Sequence, residues 1–277
     1  MDDLKFGIAP SRSFIGGWED MLAIVLEHGF IGVEFKYELP FILPGKITPQ
    51  VIRRIKKTAH AEGLFVSLHA PYVNIGALLP SRWEAALAEH RRALACANEL
   101  GAETYTVHSG WVEEKYSTPA LASACRDLTV EAVERMREWS DGVKICIENQ
   151  NGADRKKVKC AVSTDQLHYI AAHVSNPVYY TFDIGHANVF ASNPTGFLLE
   201  LGPERVKVGH IHDNDGTKDS HQALGTGTID WRGFLSAYRK HNCDFPLLFE
   251  LSQEEEFLAG RKLLKRIWSE VKAISTT

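Results

Sequence analysis

Six short runs in this chain end on residue types that bind metals. They read VSLH at His69, YTVH at His108, ICIE at Glu148, YTFD at Asp183, VGH at His210 and LLFE at Glu250. Carboxylates and imidazoles brought together would repel or stay unsatisfied unless a positive charge sat between them. A divalent cation meets that need with these donors. A carboxylate buried without any partner is costly, or its pKa shifts strongly. Two loops add candidates. His186 follows Asp183 by one helical turn in Asp-Ile-Gly-His. After His210 come His212-Asp213-Asn214-Asp215-Gly216, Asp219-Ser220-His221 and Gly225-Thr226-Gly227. Asp219 and His221 are two apart, so an extended loop points both the same way. His210 and His212 stand in the same relation, and either can be a ligand.

Residues this far apart in sequence meet only if a fold gathers the ends of their runs. Eight β-rich runs punctuate the chain: Lys5–Ala9, Gly32–Lys36, Phe65–His69, Thr104–His108, Lys144–Glu148, Tyr179–Asp183, Val206–His210 and Leu247–Glu250. Helical patterns separate them. Thr48-Pro49 and Thr118-Pro119 each place a cap residue before a proline in the first turn. Ser81-Arg82-Trp83-Glu84 has the form of a capping box. Thr164-Asp165 opens a further helix, Asp230 caps one that begins at Trp231, and the last runs from about Gln253 to Ile274. Strands that alternate with helices pair in parallel, because each return needs a crossover. The economical closed arrangement is an α/β fold, a (βα)8 TIM barrel, whose strands all finish on the face that carries the chemistry. An open doubly wound sheet is the alternative, and the GxGxxG that would favour it after the first strand is missing. With no linker-like segment, one TIM-barrel domain over residues 1–277 is expected.

Composition agrees. The 277 residues are 44% hydrophobic and 24% charged, as in an ordinary soluble globular chain. A net charge of -4 excludes binding to nucleic acid by net charge alone, though not a local basic groove. Five cysteines, an odd number without CxxC spacing, argue against a disulfide framework. No apolar run approaches the roughly 20 residues of a spanning helix, and the start MDDLKFGIAP lacks a signal layout. The expectation is a cytoplasmic protein without a membrane partner.

Other residues carry less. Glu34 ends the second strand and can touch substrate or form a salt bridge, for example with Lys36. Tyr72 and Trp111 follow the His69 and His108 runs and can stack on a sugar or base, or simply pack. His60, His90, His168, His173 and His241 fall in helical stretches and read as surface or packing residues. Cys146 reads as a small core residue, and Trp231 as the anchor of its helix start.

The ordered set HAPY (His69–Tyr72), VHSG (Val107–Gly110), IEN (Ile147–Asn149), DIGH (Asp183–His186), HIHD (His210–Asp213), DSH (Asp219–His221) and GTG (Gly225–Gly227) resembles the xylose isomerase-like TIM-barrel superfamily. That superfamily includes endonuclease IV and sugar isomerases and epimerases. The endonuclease IV pattern implies three zinc ions. His69, His108 and Glu148 would hold the first. Glu148 would bridge to a second held by Asp183, His210 and Glu250. His186, Asp219 and His221 would hold the third. The epimerase pattern implies one ion, at Glu148, Asp183, His210 and Glu250. In it the two glutamates flank the substrate as base and acid, and His-x-x-Asp favours His210 over His212. His212, Glu34, Tyr72 and Trp111 are then candidates for substrate contact.

The chain also departs from endonuclease IV. The segment from His210 to Asp219 is short, and Tyr-Glu-Leu-Pro-Phe-Ile-Leu-Pro follows the second strand where a polar, DNA-penetrating loop belongs. The apolar loop suits a pocket lid. The resemblance therefore implies a divalent-metal-dependent isomerase or epimerase of a sugar or sugar phosphate, acting by proton abstraction next to a carbonyl. Dehydration of a keto-polyol is a close variant. The alternative is an apurinic/apyrimidinic endonuclease with DNA as partner, and a non-enzymatic metal-stabilised scaffold is a third reading. Zinc would follow if His69 and His108 bind, and manganese, magnesium or cobalt would suit a carboxylate-rich single site, giving one to three ions.

Overall fold

The computed structural model describes residues 4–11, 13–37, 48–175 and 177–274. Eight parallel strands close into a barrel: β1 (Phe6–Ile8), β2 (Gly32–Lys36), β3 (Phe65–His69), β4 (Thr104–Val107), β6 (Lys144–Glu148), β8 (Tyr179–Asp183), β9 (Val206–Ile211) and β10 (Leu247–Phe249). Closure comes from β1, which pairs with β2 on one side and β10 on the other. A two-stranded antiparallel sheet of β5 (Trp111–Glu113) and β7 (Lys157–Lys159) stands outside the barrel. Neither of its strands stands out in the sequence, because three-residue strands show no readable alternation.

The helices lie between these strands: α1 (Trp18–His28), α2 (Pro49–Ala61), α3 (Pro80–Leu100), α4 (Pro119–Trp139), α5 (Thr164–His173), α6 (Ile184–Ala191), α7 (Pro194–Leu201), α8 (Trp231–Lys240) and α9 (Glu254–Ile274). Three begin where their cap residues stand. Thr48 accepts from the Val51 amide, Thr118 from Leu121 and Asp230 from Gly233. Two expected starts move. Pro80 already opens α3, so Leu79 is its N-cap and Ser81 sits inside the helix without capping it. At α5 the cap is Ser163, which forms the capping box with Gln166 one residue earlier than expected.

The strand pleat divides the side chains. Val33 and Phe35 of β2 belong to the apolar core, with Tyr105, Tyr180, Phe182 and Phe249. Glu34, between them, joins a polar layer inside the barrel. Its Oε2 accepts from the Ser67 hydroxyl at 2.6 Å and the Thr106 hydroxyl at 3.0 Å. Thr104 donates to Ser67 at 2.8 Å, and the Thr106 and Thr181 hydroxyls meet at 2.8 Å. This layer is the floor beneath the mouth. All five cysteines are free thiols, and Cys146 is fully buried. Among the described residues no helix is long and apolar enough to cross a membrane.

Candidate metal centre

All six strand-end residues meet at the mouth. His108 and Glu250 stand one residue past the last residue of β4 and β10, and His210 is one short of the end of β9. Glu148 is the hub. Its Oε2 lies 2.7 Å from His108 Nε2 and 3.3 Å from His69 Nε2. Its Oε1 lies 3.3 Å from His210 Nδ1 and 3.5 Å from His186 Nδ1. His210 Nδ1 also faces Glu250 Oε2 at 3.5 Å and Asp183 Oδ2 at 4.0 Å. Possible ligand atoms of three sets lie within 4.8 Å of one another: His69–His108–Glu148, Glu148–Asp183–His210–Glu250 and His212–His221–Glu250.

The floor decides which nitrogen of His210 faces this cluster. His210 Nε2 is 2.9 Å from Glu34 Oε1, and this contact turns Nδ1 toward Glu148, Asp183 and Glu250, where either a proton or a cation can sit. A carboxylate behind an imidazole is the usual way a metal-binding histidine is oriented. Glu34 therefore acts through His210. It is fully buried and does not line the cavity, which differs from the substrate-facing position expected for it. Nor is Lys36 its near partner, because the Lys36 ammonium contacts Glu250 Oε1.

Asn149 locks two ligand-bearing strand ends together. Its amide donates to the Asp183 carbonyl and its oxygen accepts from the Asp183 amide, both at 2.8 Å. Asp213 organises the loop after β9. Its carboxylate accepts from the Asn214 and Gly225 amides at 3.0 and 2.8 Å and from the Trp231 indole at 3.0 Å. Trp231 is buried at the start of α8 by that bond. On this loop Asp219 Oδ2 lies 3.1 Å from His186 Nε2, and Oδ1 lies 3.4 Å from His221 Nε2 and 3.6 Å from His212 Nε2. His212 is fully buried beneath the cavity, stacked on His221 at 4.0 Å, so it too is out of the substrate-facing position expected for it.

The electrostatics follow from these distances. Burial by itself would raise the Glu148 pKa, but His108 and the hydrogen bonds from His108, His210 and His69 outweigh it and hold the carboxyl well below its usual range. Glu250 is likewise lowered, against its burial, by Lys36 and then His210. Burial opposes charge on His210, yet Glu34 and Glu250 raise its pKa well above the ordinary value. His221, also resisted by burial, is pushed up to about 9 by Asp219 and Glu250. For His108 burial wins and the pKa falls. A cluster this rich in carboxylates needs positive charge, and protons on its histidines supply it when no cation does. The donor set and the imidazole orientations fit a divalent cation.

The cavity over the cluster has a volume of about 380 Å³ and is lined by Glu148, Glu250, Lys36, Tyr72 and the hydroxyls of Ser11, Ser13 and Ser252, among others. Lys36 and the three serines carried no sequence signal as site residues, since none belongs to a motif or ligand spacing. Tyr72 stacks on Trp111 with centroids 5.6 Å apart, and Lys157 Nζ lies 4.2 Å from the Trp111 ring. Trp111 faces a neighbouring groove that also reaches Tyr72. The apolar loop expected as a lid lies, from residue 38 on, outside the described residues.

The family model of xylose isomerase-like TIM barrels matches residues 22–267, and the chain belongs to that family. It is 25% identical over 272 residues to an uncharacterized protein of Methanocaldococcus jannaschii, MJ1311, covering 95% of this chain and 89% of that one. It is also 26% identical over 207 residues to the probable endonuclease 4 of Natranaerobius thermophilus, covering 69% and 71% of the two chains. Among solved structures it resembles a D-tagatose 3-epimerase-like protein, with a TM-score of 0.82 and 23% identity over 98% of this chain and all of that one.

Proposed function

We propose that this protein is a divalent-metal-dependent isomerase or epimerase of a small sugar or sugar phosphate. The observation that carries this reading is that Glu148 and Glu250 both line the cavity and both belong to the Glu148–Asp183–His210–Glu250 cluster. A carboxylate on either side of a bound polyol can remove a proton beside a carbonyl and return one to the opposite face. A divalent cation held by the four residues supplies charge stabilisation for the oxygen that becomes negative as the proton leaves. The chain supplies the rest. Lys36 keeps Glu250 ionised and fixed in direction, Glu34 orients the His210 ring, and Tyr72 offers an aromatic face at the rim. The cavity is near the small end of the roughly 300–1,000 Å³ usual for ligand sites, which suits a monosaccharide. The likeness to a D-tagatose 3-epimerase-like protein supports the same substrate class.

The test is exchange of a carbon-bound hydrogen with heavy water across a panel of ketoses and their phosphates. Glu148→Gln and Glu250→Gln should each lower exchange by about 10³-fold or more with the fold intact by circular dichroism. Full exchange in either variant would sink the proton-transfer scheme. One observation favours a second reading as an abasic-site endonuclease: His186, Asp219 and His221 are all present, joined through Asp219. Cleavage of abasic-site DNA without sugar exchange would establish it instead.

A further inference from the structure

We propose that Cys125 and Cys160 are a modification site, joined as a reversible disulfide by a hydroperoxide, and that this bond clamps the small β5–β7 sheet beside the mouth.

The two sulfurs belong to different elements. Cys125 lies in α4, and Cys160 directly follows the last residue of β7. Their Sγ atoms stand 3.4 Å apart. Bonded sulfurs stand about 2.05 Å apart, so the pair must close by about 1.3 Å. With Val112 the two cysteines form a small buried cluster separate from the barrel core.

The surrounding backbone holds both residues. The Cys160 amide donates to the Gly110 carbonyl at 3.0 Å and to the Ser109 hydroxyl at 3.2 Å. The Cys125 carbonyl accepts from the Thr129 hydroxyl at 2.9 Å, whose oxygen accepts in turn from the Gly110 amide at 3.2 Å. Both cysteines are thus pinned to the segment between His108 and Trp111. Residue 76 closes in on the same thiol. A Cβ there would stand 2.5 Å from Cys125 Sγ, so glycine leaves the sulfur the place from which it meets Cys160.

The chemistry starts at Cys160. The hydrogen bond from Cys125 lowers its thiol below the ordinary value, against burial and with help from Arg126, while the same contact and burial raise Cys125. The thiolate is the form that attacks a peroxide. The Cys160 sulfur attacks one peroxide oxygen, the O–O bond breaks, and the departing hydroxide takes a proton and leaves as water. The Cys125 sulfur then attacks the sulfenic sulfur, the S–O bond breaks, and the hydroxyl leaves as a second water with the Cys125 proton. The two thiols lose two electrons and the peroxide gains them. Cys160 is 6% exposed and Cys125 is fully buried, so the oxidant is one as small as hydrogen peroxide. Val112 also lines the groove beside Tyr72 and Trp111, which brings solvent within one side chain of the pair.

The bond would act on the rim. Tying Cys160 to α4 fixes the end of β7, and the pairing of Lys159 with Trp111 carries that constraint to β5. Lys157, on the same strand, lies over the Trp111 ring at 4.2 Å.

The experiment is exposure of the reduced, folded full chain to hydrogen peroxide, read by intact mass and by peptide mapping without reductant. The chain should lose two hydrogens in mass, regain them with dithiothreitol, and yield a cross-linked peptide pair containing Cys125 and Cys160. Amide exchange at residues 111–113 and 157–159 should slow by about tenfold or more on oxidation and recover on reduction. Cys125→Ser should stop at a Cys160 sulfenic acid that dimedone traps, and Cys160→Ser should leave Cys125 unlabelled. No reaction, addition of oxygen without a cross-link, or a cross-link through Cys96, Cys146 or Cys243 would overturn the site. A Cys125–Cys160 bond with unchanged exchange would overturn the clamp. The cross-link is mapped in the wild-type chain, so a variant that fails to fold leaves the test intact.

Discussion

The strand-borne and loop-borne halves of this site are built differently. Glu148, Asp183 and His210 lie on barrel strands, with Glu250 immediately past β10. Parallel register aligns them, with Asp183 paired to His210 across β8 and β9. Behind them the Glu34, Ser67 and Thr106 layer holds His210 from inside the barrel. Asp219 and His221 stand on the connection between β9 and α8, with His212 at its root. Their loop is held by one carboxylate, Asp213, and by a short bridge in which Asp213 and Gln222 exchange main-chain hydrogen bonds at 2.9 and 2.8 Å, while Asn151 donates to Asp219 at 3.2 Å and His221 Nδ1 meets the Glu250 carbonyl at 2.9 Å. The sheet sets the first half through many cooperative bonds, and a local knot sets the second. One half should therefore be breakable without the other.

The largest effect should come from beneath the strand-borne half. Glu34→Ala leaves His210 without its ion-pair partner and two hydroxyls without their acceptor in a buried place. It should destabilise the fold by about 3–5 kcal/mol by chemical denaturation. The more conservative Glu34→Gln should keep the fold and weaken metal binding at the strand-borne half by roughly 10–100-fold in a calorimetric titration. An unchanged affinity would mean that Glu34 does not orient His210.

A smaller and more local effect is expected at Asp213. Asp213→Ala removes the acceptor of the Asn214, Gly225 and Ile229 amides and of the Trp231 indole, and should cost about 2 kcal/mol. Amide exchange should rise between residues 213 and 230 while β6 and β8 stay protected. Equal loss of protection in the strands would show that the two halves are one cooperative unit.

The smallest effect separates the halves by pH in the metal-free protein. His221 has a folded pKa of about 9 against an ordinary 6.5, so its contribution to stability is full below 6.5 and fades as pH rises through about 9. Glu148 and Glu250 are lowered, so theirs is present above the ordinary carboxylate range and fades on acidification. Thermal unfolding of the metal-free chain should show a shallower alkaline decline in His221→Ala, with the part set by His210 remaining, and an unchanged acid decline. An alkaline limb of undiminished depth would mean that His221 contributes nothing to it.

Much of this molecule was legible in one dimension. Parallel strands buried on both faces must be apolar, short and regularly spaced, and a closed barrel must bring their ends to one rim. Gly32–Lys36, Phe65–His69, Lys144–Glu148 and Tyr179–Asp183 begin and end where their residue types indicate. The gathering of His69, His108, Glu148, Asp183, His210 and Glu250 follows from that geometry, because strand-end position is a sequence property once the fold is a barrel. What local pattern could not carry was pairing across the barrel. Lys36 and Glu34 are two residues apart, yet the pleat points Glu34 at the floor beneath His210 and leaves Lys36 against Glu250. His210 and His212 are equally good ligands by spacing. Only the space left at Gly185, from a different strand end, and the carboxylates of Glu34 and Asp219 give the two rings different partners. Residue type and period determined the barrel and the strand-end residues of its mouth, because both are set by near neighbours in the chain. Which nitrogen faces which oxygen was decided by tertiary contacts, because hydrogen-bond direction depends on atoms that meet only when the barrel closes.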